Sequence, residues 1–217
     1  MTAHLCHRTY REPKLNLLKK TVLAVAVSAI ASSAFAGGFD GPFVQASLGW
    51  AKSETKVEDL KWNDSTLVGK LAAGYGHSFG AFNLSANVFY IIGDLKSGDK
   101  TFVANNGGAG KITAKGTNTY GVSVEPGWNV SDSTLAYAKF SYVHTKGKIS
   151  EVNTSGGITT SDSMSQDFNG FGYGIGVKHK FSQNLYGLAE IEQIDFESKN
   201  DFKPNTLGAY IGIGYKF

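Results

Sequence analysis

Downstream of Gly41, apolar side chains recur at every second position in stretches of about ten residues, separated by polar turns, a period that strands have and helices do not. Eight stretches are traced: Phe43 to Ala51, Leu67 to Phe79, Phe82 to Ile92, Thr119 to Val130, Thr134 to His144, Phe171 to Phe181, Leu185 to Phe196 and Leu207 to Phe217. The sixth is the cleanest, with Phe171, Tyr173, Ile175, Val177 and Phe181 facing one way and Gly172, Gly174, Gly176 and Lys178 the other. The seventh, which carries Glu190 and Glu192, is the least regular. Connections alternate in length too. Short turns follow the second, fourth and sixth stretches (Gly80-Ala81, Asn129 to Ser133, Ser182 to Asn184). Long polar segments follow the other four (Lys52 to Ser65, Gly93 to Gly116, Lys146 to Asp167, Glu197 to Asn205) and are expected to be loops.

The two faces decide between water and lipid. The polar face holds Gly, Ser, Asn, Lys and Glu, which suit a narrow barrel interior. The apolar face ends in aromatics near both rims: Trp50, Tyr90, Tyr120, Trp128, Tyr142, Phe181 and Tyr215, as interfacial girdles require. No unpaired strand edge can face hydrocarbon, so the sheet must close. The expected fold is all-β, an eight-stranded antiparallel up-and-down transmembrane β-barrel with every long loop at one end. A soluble barrel of lipocalin type, with the faces inverted, is the alternative. Pro126 cannot donate to a ladder, and a bulge is expected there.

Ahead of the barrel, Lys14, Lys19 and Lys20 precede the uncharged run Thr21 to Phe35, which closes on Ala34-Phe35-Ala36 before Gly37. A basic flank, a short apolar run and an A-x-A site are the parts of a secretory signal peptide. About fifteen residues are too few for a membrane-spanning helix, which needs about 20. Residues 1–36 therefore read as a cleaved leader with an N-terminal extension, and 37–217 as the barrel. The leader takes five of the 21 basic residues and one of the 18 acidic ones with it, leaving 16 against 17. That balance removes the electrostatic case for nucleic acid. Cys6, the single cysteine, leaves as well, and with it any disulfide or thiol chemistry.

Charged residues with inward parity form the best-defined constellation: Lys70, Glu125, Lys139, Lys178, Glu190, Glu192 and Lys216. Glu125 and Lys139 are equidistant from the turn at Asp132 and are expected to meet inside the barrel. Such a network reads either as a salt-bridged plug or as the wall of an ion path. His77, His144 and His179 fall on different strands near rims, away from a nucleophile–base–acid arrangement. The glycine run Gly170 to Gly176 keeps strand parity, and no GK[ST] or helix follows it, so it is barrel packing and not a phosphate loop. No cofactor or metal is implied. Trp62, Phe102 and Phe202 are the aromatic anchors of the long polar segments, which are the parts presented to the surroundings.

Tyr215-Lys216-Phe217 ends the chain with an aromatic two residues before a terminal Phe. Taken with the leader, Pro126-Gly127-Trp128 and Leu135 to Lys139, this resembles the eight-stranded outer-membrane β-barrel family of Gram-negative bacteria, which includes porin-family and opacity-type surface antigens and OmpA/OmpX-like barrels. The resemblance implies secretion, Tyr215 and Phe217 as the signal for the barrel-assembly machinery, and contact with outer-membrane lipid and lipopolysaccharide. It does not fix a molecular activity, since members act variously as surface antigens, adhesins, structural proteins and small pores; the long loops, as the parts presented to the environment, are expected to carry a structural, adhesive or antigenic surface role toward an extracellular or host ligand. A small porin is the alternative, and a lipid-modifying barrel enzyme a third reading.

Overall fold

A computed structural model describes residues 38–57, 60–103, 109–155, 158–199 and 203–217. Ala34, Ala36, Gly37 and Phe202 lie outside the described residues, as do the side chains of Trp62 and Phe102. Among these residues nine strands follow one another: β1 Gly41–Val57, β2 Leu60–Phe79, β3 Phe82–Ile92, β4 Leu95–Val103, β5 Ala109–Ser131, β6 Thr134–Ser155, β7 Ile158–Lys180, β8 Leu185–Phe196 and β9 Lys203–Lys216. Consecutive strands pair antiparallel except β3 and β4, which both pair with β5, and β1 pairs with β9. The ring is thus closed by eight strands in up-and-down order, as the alternation predicts.

The ninth, β4, was expected to be loop. It continues the line of β3 after a break at Gly93 (φ 109°), and pairs with the upper part of β5, Val103 opposite Ala109. The other long segments are also largely strand. Lys146 to Ser155 and Ile158 to Asp167 stay in register along the whole β6–β7 hairpin. Hydrophobic alternation reports only the part of a strand that touches lipid; a ladder in water needs no apolar face, so these extensions leave no period in the sequence. A transmembrane strand needs about 9–11 residues, and β6 and β7 have 22 and 23. Roughly 30 Å of hairpin therefore projects beyond the rim.

The apolar face points outward all round. Leu48, Trp50, Phe171, Ile175 and Ile211 are all more than 60 % exposed, and Trp128, Phe181 and Tyr215 mark the turn end. Pro126 makes no bulge. It stays in register with Leu84 of β3, and the β5–β6 register is the same on either side of it, at Val124 with Phe140 and Gly127 with Tyr137. The shifts fall instead at Thr117/Tyr120, where Asn118 has φ 51°, and at Asn129/Ser131. A proline only forgoes its own donor, and the ladder resumes one residue later.

Above the rim, the upper parts of β4, β5, β6 and β7 make a four-stranded sheet. Ion pairs stitch its outer side: Lys115 to Asp94 at 2.7 Å and Lys111 to Asp99 at 2.8 Å. The Lys111 ammonium and Thr113 hold the Asp99 carboxyl below the ordinary carboxylate range.

Candidate functional site: the barrel interior

The inward glycines of β7 organise the interior. Each stands between a residue of β6 and one of β8, in rows that the register sets: Ser141–Gly172–Ile194, Lys139–Gly174–Glu192 and Tyr137–Gly176–Glu190. With no side chain in the middle of a row, the flanking strands reach over β7 and join. Ser141 donates to Glu192 Oε1 at 2.7 Å, Lys139 lies 3.3 Å from Glu192 Oε2, and Tyr137 donates to Glu190 Oε2 at 2.9 Å.

Lys70 arrives from β2 and completes the upper cluster. Its ammonium donates to Glu190 Oε1 at 2.7 Å and to Glu192 Oε2 at 2.9 Å, while Lys139 shares Glu190 Oε1 at 2.9 Å. A lower cluster joins Lys178 to Glu125 Oε2 at 2.7 Å; Asn87 donates to Glu125 Oε1 at 2.7 Å and accepts from Ser123 at 2.9 Å. Every carboxylate oxygen of Glu125, Glu190 and Glu192 has a donor, which is the condition for burying such charges. All six charged side chains are at most 3 % exposed.

Two expectations for this set need correcting. Glu125 and Lys139 share the expected register, yet Glu125 bonds Lys178 and Asn87, while Lys139 bonds Glu190 and Glu192. Opposition across a ladder fixes where side chains start, and long side chains then reach the partner that satisfies most donors. Lys216 stands apart from both clusters, at the turn end, with its ammonium 3.5 Å from the Gly38 carbonyl.

The interior also holds more hydrocarbon and aromatic surface than the expected polar lining. Toward the projecting sheet, Phe89, Ile91, Leu95, Val143, Ile194 and Phe196 form a buried cluster; toward the turns, Phe39, Phe43, Leu135, Tyr186 and Leu188 form another. Several interior aromatics lie opposite a glycine of the next strand: Phe43 with Gly74, Phe89 with Gly121, Tyr137 with Gly176, Tyr186 with Gly214, Tyr210 with Gly49. A Cβ at any of these glycines would collide with the ring it faces. The rings in turn cap the ammonium groups: Lys70 sits 3.6 Å from the Tyr210 centroid and Lys178 4.8 Å from that of Tyr137. Sequence parity pointed to the glycines and the charges. It had no means of giving the aromatics of the irregular seventh stretch, Tyr186 above all, their place.

Other candidate residues are spread out. His77 lies 3.9 Å from Asp40, His144 takes part in a 2.9 Å hydrogen bond with Asn169, and His179 in one of 2.9 Å with Thr134. Tyr215 faces outward with its ring 5.0 Å from that of Phe217, whose N–H donates to the Pro42 carbonyl at 3.0 Å. Among the described residues no group of three or more His, Cys, Asp and Glu side chains is arranged to hold a metal ion.

Residues 22–217 match the family model described as the outer membrane protein beta-barrel domain. No curated protein sequence matches the chain. Among solved structures, it is similar to Ail of Yersinia pestis in complex with the heparin analogue sucrose octasulfate, at 20% identity over 82% of this chain and 99% of that one, with a TM-score of 0.42. It is similar to Neisserial surface protein A at 16% identity, over 82% of this chain and 97% of that one, with a TM-score of 0.48. It is also similar to the outer membrane protease OmpT from Escherichia coli, at 11% identity over 85% of this chain and 99% of that one, with a TM-score of 0.46. With nearly all of its length matched, and with a closed ring whose apolar face points outward, the chain belongs to the outer-membrane β-barrel domain family and is a protein of the Gram-negative outer membrane.

Proposed function

We propose that this is a surface protein whose interior is a non-conducting structural core and whose activity is carried outside the membrane by the projecting sheet, which binds an extracellular or host partner. The observation that carries this reading is the free edge of β7. β8 pairs with β7 only from Gly170 onward, so among the described residues Ile158 to Gln166 has a partner on its β6 side alone. A long edge with open donors and acceptors is a ready template for an added strand. Ser161, Asp162, Ser163 and Ser165 leave it polar and fully wet, which suits recognition in water better than membrane insertion. Trp62, Phe102 and Phe202 supply further contacts in this reading, and the role is non-enzymatic.

Residues 1–36 serve as the leader, cleaved after Ala36 ahead of Gly37, with Ala34 and Ala36 as the small residues of the site. Tyr215 and Phe217 serve the barrel-assembly machinery, and lipopolysaccharide is the lipid against the outer girdle.

Removing Ile149 to Met164 and closing the hairpin with Asn-Gly is expected to reduce attachment of cells displaying the barrel to eukaryotic monolayers at least tenfold. Heat-modifiable gel migration should stay unchanged. Undiminished attachment of the shortened protein would end the adhesive reading. Bilayer recordings of the refolded protein are expected to be silent, because an ion would have to cross two apolar clusters as well as a neutral set of three lysines and three glutamates. Discrete, ion-selective steps would make it a small porin instead.

A further inference from the structure

The outer wall carries a groove of about 940 Å³ whose lining is almost wholly apolar. Its floor lies along two neighbouring outward rows in which four alanines stand among larger apolar side chains. One row passes through Trp128, Ala136, Val177, Ala189 and Ile211; the other through Ala138, Ile175, Ile191, Ala209 and Trp50. Pro126 and Gly127 line it beside Ala136 and Ala138, and Trp128 and Trp50 stand as walls at its two ends.

Position and slope say what fits. Together the two rows extend from β5 to β1, five strand spacings of about 4.8 Å, or roughly 24 Å. Strands in such barrels tilt about 40° from the axis, so a row perpendicular to them climbs roughly 15 Å. That is one leaflet of a hydrocarbon core about 30 Å thick. The groove is continuous with the lipid-facing band, so hydrocarbon and not water covers it. Its lower end lies four residues from the periplasmic turn at Asp132, at Trp128 and Ala136, which is where a chain from the inner-facing leaflet enters.

We propose that this groove is a binding site for one acyl chain of a periplasmic-leaflet phospholipid, held between Trp128 and Trp50. An ordinary barrel wall of alternating large side chains is covered by lipids that exchange freely, whereas a recess with four alanines among its lining gives a chain more contact and slows its exchange.

The test uses the protein refolded into phosphatidylethanolamine vesicles, extracted into mild detergent and weighed by native mass spectrometry. Wild type is expected to retain one phosphatidylethanolamine per barrel. The groove-filling variant Ala138→Phe/Ala189→Phe should lose at least nine-tenths of it with heat-modifiable migration intact. Ala86→Phe, outward on β3 and away from the groove, should retain it. Should the double variant fail to fold, Ala209→Leu alone is expected to halve the retained lipid. Retention that is equal in filled and unfilled barrels, or absent from wild type, overturns the proposal. So does displacement by added lipopolysaccharide, which would place the ligand in the other leaflet, and so does cross-linking of two barrels through Ala189→Cys, which would put a second copy in the groove.

Discussion

Glu125→Ala is expected to destabilise the folded barrel by about 3–5 kcal/mol, the range for removing one partner of a buried ion pair. Lys178 is 2 % exposed, and among the described residues Glu125 is the one carboxylate within salt-bridge distance of it. Truncation strands both the ammonium and the Asn87 amide that donates to the other carboxylate oxygen. Lys178→Met should cost a similar amount by leaving Glu125 charged. The double variant Glu125→Gln/Lys178→Met removes both charges and keeps an acceptor for Asn87, so it should fall within about 1 kcal/mol of wild type. Lys139→Met is the internal comparison: Glu190 and Glu192 keep Lys70, and the loss should be smaller. Urea unfolding from vesicles, followed by tryptophan fluorescence, reads all four. Single variants that cost less than about 1 kcal/mol would mean that water solvates the interior charges, and the non-conducting reading would fall with them.

Gly176→Val is expected to cost about 3 kcal/mol although it adds only hydrocarbon. The new side chain would occupy the space of the Tyr137 ring, directly opposite on β6. Overpacking accounts for about 1–3 kcal/mol. Moving the ring also breaks the 2.9 Å hydrogen bond from Tyr137 to Glu190, and a bond to a charged group is worth about 1.5–3 kcal/mol. Removing the ring should relieve the crowding, so Tyr137→Ala/Gly176→Val is expected to be less destabilised than the two single losses added together. Strict additivity of the two changes would show that the ring does not rest on this glycine. Gly176→Ser, smaller than valine, should be intermediate.

The interior was legible by parity at Lys70, Lys139, Lys178, Glu125, Glu190 and Glu192, because a strand that meets lipid on one side must turn its charges to the other. It was not legible at Lys216, which has the same parity but sits at the turn end, since parity gives the face of a strand and not the height at which neighbours surround it. Glu125 and Lys139 show the same limit: their backbone register follows from the turn, whereas their charged partners stand on β7 and β8, each reached across the intervening strand of the curved wall.

The alternation, the outward aromatics and the placing of short turns were enough to determine a closed antiparallel barrel of eight strands, since hydrocarbon tolerates neither an open edge nor a polar outer face. Those constraints are local, so they are written residue by residue. Only the tertiary structure decided that β4 exists and that the polar segments continue as a sheet above the membrane. There the solvent accepts either face, and hydrogen bonding between neighbouring strands alone selects strand over loop. It likewise decided that Tyr137, Tyr186 and Tyr210 settle on glycines of adjoining strands, and that the three lysines and three glutamates divide into two neutral clusters. Contacts of that kind are set by the radius and stagger of the closed ring, which no single strand contains.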